Sequence, residues 1–132
     1  MNKVVARYAD GRLVKGLTHD FNPTRPVFHV VPTGVPDDMP SVVIRTAELK
    51  ALFFVKDFDG NPDHVDKGDF NLDLPLEVRR ISASFKDGEV IVGSSNGFRA
   101  GRPGFFLVPA DPESNNERCY VVTEATSEVR YI

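Results

Sequence analysis

Two loops of the chain carry residues that could bind phosphate or stack on bases. The first loop holds Phe21 and Arg25, and the second holds Phe98, Arg99 and Arg102. A guanidinium group binds phosphate through paired N–H groups, and a phenylalanine ring can stack on any base. These five residues are therefore candidates for a ligand or nucleic-acid site. Proline follows both Arg25 and Arg102, and proline is allowed at the first position of a strand. We therefore favour a structural interpretation, in which each arginine pairs with a carboxylate or caps carbonyl groups of the loop.

A second basic group lies at Arg79 and Arg80. This pair is similar to the two arginines with which PilZ domains hold cyclic di-GMP, and that resemblance implies a nucleotide ligand. The accompanying PilZ motif, Asp/Asn-x-Ser-x-x-Gly, should follow on an early strand. Ser94 and Gly97 match it, but Val92 occupies the place of the acid or amide. We favour the interpretation that the two arginines are linker charges.

Residues 57–63 place Asp or Asn at every second position, which is the spacing of oxygen ligands in a calcium loop. Such a loop also needs glycine at its sixth place and a bidentate glutamate at its twelfth. This chain has Pro62 and Gly68 there. We therefore interpret the segment as an acidic turn and predict no metal site.

Histidine and cysteine do not form a catalytic or metal-binding pattern. His19, His29 and His64 lack the spacing of zinc ligands, and Cys119 is the single cysteine, interpreted as a small buried hydrophobe. His29 falls on Phe106 in the internal repeat described next, which indicates a packed position. The sequence has no recognisable order of Ser, His and Asp, phosphate-binding glycine loop or carboxylate pair. We predict no enzyme activity and no cofactor.

The elements that must position these residues occur twice. Residues 4–55 align without gaps on residues 81–132, at a constant offset of 77. The pair Asp10-Gly11 falls on Asp87-Gly88, and Gly16 falls on Gly93. Asp-Gly between apolar runs predicts a hairpin with positive φ at both central residues. Glycine within a strand predicts the bend that a small barrel needs to close.

Alternating apolar and polar residues predict five short strands in each copy. In the first copy the strands cover about residues 3–8, 12–19, 26–32, 42–45 and 52–56. We therefore expect an all-β chain, with a first barrel at residues 1–56, an acidic linker at 57–76 and a second barrel at 77–132. The two five-stranded barrels are expected to pack with pseudo-twofold symmetry.

This pattern resembles the Sm-like (SH3-like) barrel. Residues 16–21 are similar to the first Sm motif, with Asp20 at its acidic position, and residues 44–55 are similar to the strand-turn-strand of bacterial Sm-like RNA chaperones. The full pattern more closely resembles an uncharacterised bacterial family, whose members carry this domain alone or beside signalling modules. Arg25 stands where Sm RNA sites have asparagine, and Gly97 replaces Asp20 in the second copy. The resemblance therefore implies the fold more strongly than RNA binding.

The fifth strand of the first copy is apolar on both faces, whereas the second copy has Glu128 and Arg130 on its outward side. Because such a strand must be covered, we expect Phe53 and Val55 to pack against the linker, the other barrel or another chain. Sm-like barrels associate by pairing strand four with strand five. Open edges therefore also predict self-association.

Composition limits the classes of function. The formal net charge of −3 disfavours an unspecific nucleic-acid binder, and no apolar run is long enough for a membrane span. We expect a soluble, cytoplasmic protein that acts as a non-enzymatic binding or scaffold module in bacterial regulation, through an unknown protein partner. The alternatives are RNA or single-stranded nucleic-acid binding, and sensing of a small anionic ligand such as a cyclic dinucleotide.

Overall fold

A computed structural model describes residues 2–33, 40–58, 79–95, 98–99, 101–111 and 113–132. Most of the predicted linker, with Asp59, Asn61, Asp63 and His64, lies outside these residues, as does Gly97. The described elements are β1 (Asn2–Tyr8), β2 (Leu13–Thr18), β3 (Val27–Pro32), β4 (Val42–Arg45), η1 (Thr46–Glu48), β5 (Leu49–Val55), β6 (Arg79–Phe85), β7 (Val90–Ser95), β8 (Gly104–Pro109), β9 (Asn116–Val122), η2 (Thr123–Ala125) and β10 (Thr126–Tyr131). The short elements η1 and η2 are 3-10 turns.

The strands form one antiparallel sheet in the order β10-β6-β7-β8-β9-β5-β1-β2-β3-β4. The prediction of an all-β chain is therefore confirmed. Among the described strands, β4 and β10 have one neighbour each, so the sheet has two edges and is not closed. No helix in the described segments has the length and apolar character needed to cross a bilayer.

The same strand order occurs on each side of the sheet centre. Strands β1 to β5 and their turn make the first half, and β6 to β10 make the second half. Strand β1 (Asn2–Tyr8) and strand β6 (Arg79–Phe85) have bounds that differ by the 77 residues of the sequence offset. Strand β5 begins at Leu49, three residues earlier than predicted, because the preceding turn is confined to Thr46–Glu48.

The Asp-Gly hairpins occur as predicted, but their turn type differs. Gly11 and Gly88 have φ of 98° and 95°, and no other described residue apart from Gly101 has positive φ. The amide of Gly11 donates to the carbonyl of Tyr8, and the amide of Tyr8 donates to the carbonyl of Arg12. This is a three-residue loop that ends in a left-handed glycine, a common alternative to the two-residue turn.

The predicted bend positions are glycines because another strand crosses them closely. A Cβ atom on Gly16 would collide with the carbonyl of Val31 and lie 2.5 Å from Cγ1 of Val30. Gly93 has the same relationship with the carbonyl of Val108. The requirement is therefore one of space, because neither glycine has a positive φ.

The two halves join through strands that are not equivalent. Strand β5, fifth in the first half, pairs with β9, fourth in the second half, with Leu52 opposite Tyr120 and Phe53 opposite Cys119. A twofold axis would bring equivalent strands together. The strand pairing between the halves therefore differs from the predicted pseudo-twofold arrangement.

Two hydrophobic cores lie on opposite faces of the β5–β9 pair. The first-half core includes Leu52 and Phe54 of β5 and takes Tyr120 and Val122 from β9. The second-half core includes Cys119 and Val121 of β9 and takes Ala51, Phe53 and Val55 from β5. All seven residues of β5 are buried. Phe53 and Val55 were predicted to pack against the linker, the other barrel or another chain. In the structure they pack mainly against residues of the second half, and Phe58 packs against the same cluster.

Candidate functional site

A groove of about 370 Å³ lies where the two halves meet. We call it the junction groove. Its first-half walls come from the loop before β3 and from η1, and its second-half walls come from the start of β8, from β9 and from η2. Its lining residues are Pro23, Thr24, Arg25, Pro26, Thr46, Ala47, Pro103, Tyr120, Val122 and Glu124.

Main-chain hydrogen bonds fix the proline walls. The carbonyl of Pro26 accepts from the amide of Thr46 at 3.0 Å, and the carbonyl of Pro103 accepts from the amide of Thr123 at 2.9 Å. Each proline therefore ties the start of a strand to the 3-10 turn of its own half. Because proline has no N–H group, these walls offer apolar rings and few donors.

Tyr120 forms the base of the groove. Its ring contacts Phe21 and Phe106, with centroid distances of 5.3 and 5.2 Å, and the residue is 4% exposed. The tip of the ring covers Gly104, where a Cβ atom would lie 2.5 Å from both Cζ and the hydroxyl oxygen. Burial raises the pKa of Tyr120 above its usual value, so the hydroxyl remains a donor at neutral pH.

One charged side chain from each half lies in the groove lining. Arg25 comes from the first half and Glu124 from the second, and both are exposed. Within the described segments, neither Arg25 nor Arg102 has a carboxylate partner for its guanidinium group. The pairing that we favoured from the sequence is therefore not seen. The amide of Arg25 does hold the loop, by donating to the carbonyl of Asn22 at 3.0 Å.

The predicted aromatic residues lie within packed clusters. Phe21 is partly buried and contacts Phe28 and Phe54 of the first-half core, with centroids 5.0 and 6.0 Å away. Phe98 contacts Phe105 at 4.9 Å and Tyr131 at 5.9 Å. The rings therefore support the fold at both sites.

The predicted residues fall into two groups. Phe21 packs against the ring of Tyr120, and Tyr120 lines the junction groove together with Arg25. Phe98 and Arg79 meet at Tyr131, where the Arg79 guanidinium lies 4.0 Å from the ring centroid. The remaining three predicted arginines are exposed, and they are Arg80, Arg99 and Arg102. Arg102 directly precedes Pro103, which lines the groove.

Asp20, at the position that resembles the acidic residue of the Sm motif, is held by its own half. Its carboxylate accepts from the amide of His29 at 2.9 Å and from the hydroxyl of Thr18 at 3.3 Å, and it lies 2.6 Å from His29 Nδ1. Burial acts to raise the pKa of Asp20, but the His29 and Thr18 hydrogen bonds outweigh it and the pKa is lowered. His29 is exposed, so its interpretation as a packed residue was wrong. Its counterpart Phe106 is the packed one.

Cys119 lies in the second-half core and is fully buried. Burial, with a smaller contribution from the charge of Glu89, raises the pKa of its thiol to about 12. A thiol in that state is not a nucleophile at neutral pH. Across the described segments, no group of three or more potential metal ligands is found.

The chain matches the model of a family of unknown function (DUF6982) over residues 1–132. The chain belongs to that family. Searches of curated proteins and of solved structures found no match. Membership of the DUF6982 family covers both halves and assigns no activity, so the functional argument depends on the geometry of the groove.

Sequence reasoning did not find the second-half wall of the groove or the buried lysine at the junction. Lys50 of β5 is 8% exposed, and its Nζ lies 2.7 Å from Asp87 and 2.5 Å from Glu89 in the first hairpin of the second half. The available signal was one lysine in a strand that is otherwise apolar on both faces. The hydrogen bond from Lys50 is the main reason that the pKa of Asp87 is lowered.

Proposed function

We propose that this chain is a non-enzymatic binding module that acts through protein–protein contacts, with the junction groove as its binding surface. The observation that carries the proposal is an apolar groove walled by prolines from both halves, with Tyr120 at its base. Concave apolar surfaces with a few placed polar groups are the usual sites of ligand binding. This groove forms only where the two halves meet.

The proposal extends to the architecture. Each half is a copy of one small Sm-like (SH3-like) barrel unit, fused in tandem through the β5–β9 pair. The shared strand order, the matching bounds and the two close-approach glycines support this duplication. A role in bacterial regulation and a cytoplasmic location belong to the same proposal, which is consistent with a single buried cysteine.

The groove chemistry favours a peptide over the anionic ligands. Its lining includes one arginine and one glutamate, so it supplies no net positive charge for a nucleic acid or a cyclic dinucleotide. Phe21 is engaged in the first-half core, and Asp20 is engaged by His29. These residues are therefore occupied by internal contacts in the half that most resembles an RNA-binding barrel.

Peptide display on the full chain tests the proposal. A random-peptide library is selected on the chain, and the enriched peptides are measured against Ala47→Arg, which places a long side chain in the groove at an exposed position. We expect binding to fall at least tenfold, about 1.4 kcal/mol. The matched control is Leu13→Arg, at an exposed position of β2, which should leave binding unchanged. Absence of enriched peptides, or equal binding to Ala47→Arg, would overturn the proposal.

A further inference from the structure

A second cleft, of about 260 Å³, has a lining with several polar and charged residues and shares none of them with the junction groove. We call it the basic cleft, after Arg7 and Lys15. Its first half contributes both basic residues, and its second half contributes one glutamate and two asparagines. The lining residues are Val5, Arg7, Lys15, Phe53, Val55, Phe58, Glu89, Asn115 and Asn116.

Strand register places the two basic side chains close together. Val5 of β1 pairs with Lys15 of β2 and with Phe53 of β5, so these three residues share one face of the sheet. Arg7 lies two residues further along β1 and therefore has the same face. Because Arg7 pairs with Leu13, it is the diagonal neighbour of Lys15. Diagonal neighbours lie about 7 Å apart, so both long side chains can reach one bound group.

Both basic groups have donors available for a ligand. Among the described residues, the Arg7 guanidinium has no ion pair and no hydrogen bond. The pKa of Asp87 is lowered chiefly by Lys50, and the charge of Arg7 adds to this effect. Lys15 Nζ donates to the carbonyl of Phe58 at 3.0 Å, and an ammonium group has three donors. The basic pair can therefore donate to one oxyanion.

The internal repeat shows that the β1–β2 hairpin does not need this basic pair. Arg7 falls on Ser84 and Lys15 falls on Val92, which occupy the equivalent positions of β6 and β7. The hairpin of the second half pairs in the same register without either charge. The two charges are thus specific to the half whose β1, β2 and β5 line the basic cleft.

Glu89 does not cancel the basic pair. Its Oε1 lies 2.5 Å from Lys50 Nζ, so its charge is already paired with that of a cation outside the cleft lining. In the part of the chain that the structure describes, its second carboxylate oxygen has no hydrogen bond, and neither has the side-chain amide of Asn116. The cleft therefore combines two cations with a carboxylate acceptor and an amide.

We propose that the basic cleft binds a small organic acid that carries a carboxylate or phosphate group and, next to it, a hydroxyl or ammonium group. Arg7 and Lys15 bind the oxyanion, because charge-assisted hydrogen bonds to oxyanions are the strong ones. Glu89 accepts a hydrogen bond from the neighbouring donor. The volume is below the roughly 300–1,000 Å³ of sites for drug-sized ligands, which favours a ligand of a few carbon atoms. This site goes beyond the proposed function, because the junction groove has a different lining.

The test is an NMR titration of the ¹⁵N-labelled full chain at low ionic strength, where surface charges are least screened. The probes are L-lactate and glycerol 3-phosphate, each compared with an analogue that lacks the hydroxyl group, propanoate and propyl phosphate. We expect at least one hydroxylated acid to shift the amides of the cleft saturably, with a Kd below about 20 mM. Its analogue should bind at least about threefold more weakly. The pair that binds identifies the oxyanion as carboxylate or phosphate.

Variants assign the binding to the cleft. Arg7→Ser, which introduces the residue type of Ser84, should weaken the better acid about tenfold, and Lys15→Val should weaken it similarly. Arg130→Ser removes the same charge from β10, outside the cleft, and should bind as the native chain does. Glu89→Ala should abolish the preference for the hydroxylated acid. The spectrum of each variant shows whether it is folded.

Three results would overturn the inference. The first is that none of the four compounds gives saturable shifts with a Kd below about 20 mM. The second is that Arg7→Ser and Lys15→Val both bind as tightly as Arg130→Ser, which would place the anion elsewhere on the surface. The third is equal binding of each acid and its analogue to the native chain, since Glu89 would then accept no hydrogen bond from the ligand.

Discussion

Strands β5 and β10 occupy the same place in the two halves but have opposite surroundings. All seven residues of β5 are buried, whereas no residue of β10 is. Their outward positions differ in kind: β5 has Ala51 and Phe53 where β10 has Glu128 and Arg130. The same strand therefore serves as an internal junction in one half and as a sheet edge in the other.

The partner surfaces differ in the same way. The second half presents an apolar surface to the first-half core, formed by Phe106, Tyr120 and Val122. At the corresponding positions the first half has His29, Val43 and Arg45, all of them exposed. Apolar residues thus occur where the halves meet, whereas both edge strands carry exposed charged residues, Arg45 in β4 and Glu128 and Arg130 in β10. The comparison indicates that the β5–β9 pair forms one buried junction, whereas the charges of β4 and β10 disfavour further strand pairing at the free edges.

The largest effect should come from the junction strand. Phe53→Ala removes a ring that is 5% exposed and packed in the second-half core, and we expect a loss of about 3–5 kcal/mol in unfolding free energy. The matched variant Arg130→Ala, at the same position of the other half, should change stability by less than about 0.5 kcal/mol. Urea unfolding followed by circular dichroism measures both. Similar losses in the two variants would show that the strands are not energetically different.

Gly104 and its first-half counterpart Val27 give the next largest contrast. A Cβ atom on Gly104 would lie 2.5 Å from the Tyr120 ring and 2.6 Å from the carbonyl of Val121, so Gly104→Ala must displace the ring or β9. We expect a loss of about 1–3 kcal/mol. Val27→Ala, at an exposed position, should cost less than about 0.5 kcal/mol. If thermal unfolding gives the same midpoint for Gly104→Ala and the native chain, the close approach of Tyr120 and Val121 does not require glycine at this position.

Lys50 and its counterpart Ser127 form a smaller contrast. Lys50→Ser removes the buried aliphatic part of the lysine side chain and the contacts of its Nζ with the carboxylates of Asp87 and Glu89. It also removes the contact of Nζ with the Phe85 ring, whose centroid lies 4.7 Å away. We expect a loss of about 1–2 kcal/mol at pH 7. Lys86→Ser, which changes an exposed lysine in the neighbouring hairpin, is the control and should have little effect. An unchanged urea midpoint for Lys50→Ser would mean that the ion pairs do not stabilise the junction.

The same pair of variants should respond to pH. Because the pKa of Asp87 is lowered in the folded state by Lys50, its contribution is present above the ordinary value of 3.8. It is lost as the pH falls through the lower folded pKa. The difference in unfolding free energy between the native chain and Lys50→Ser should therefore be constant from neutral pH to about pH 5 and shrink in stronger acid. A difference that grows on acidification would contradict the assignment.

Sequence patterns predicted the strands well, because alternation, Asp-Gly and strand glycines act over short distances. The bounds of β1 and β3 are within one residue of the prediction. The junction groove was not predictable in this way. It brings Pro26 and Tyr120 into one groove through the pairing of β5 with β9, and local sequence patterns do not specify how the two halves pair. Only Arg25, among the residues selected for chemistry, lines the groove.

The smallest expected effect concerns the two edge strands, β4 and β10. If β10 paired with β4 of a second copy in the register that joins β5 to β9, Glu128 would lie opposite Ile44, and Arg130 opposite Val42. Both charges would face the apolar edge of the first-half core, so the native chain should not extend by this route.

Glu128→Ala/Arg130→Phe introduces the residue types of Ala51 and Phe53 into β10 and should produce head-to-tail association with a Kd on the order of 10–100 μM. Light scattering at rising concentration measures it. Adding Val43→Lys, which charges the receiving edge, should abolish the association. Association of the native chain, or association of the double variant that ignores Val43→Lys, would show that the charges of β10 are not what ends the sheet.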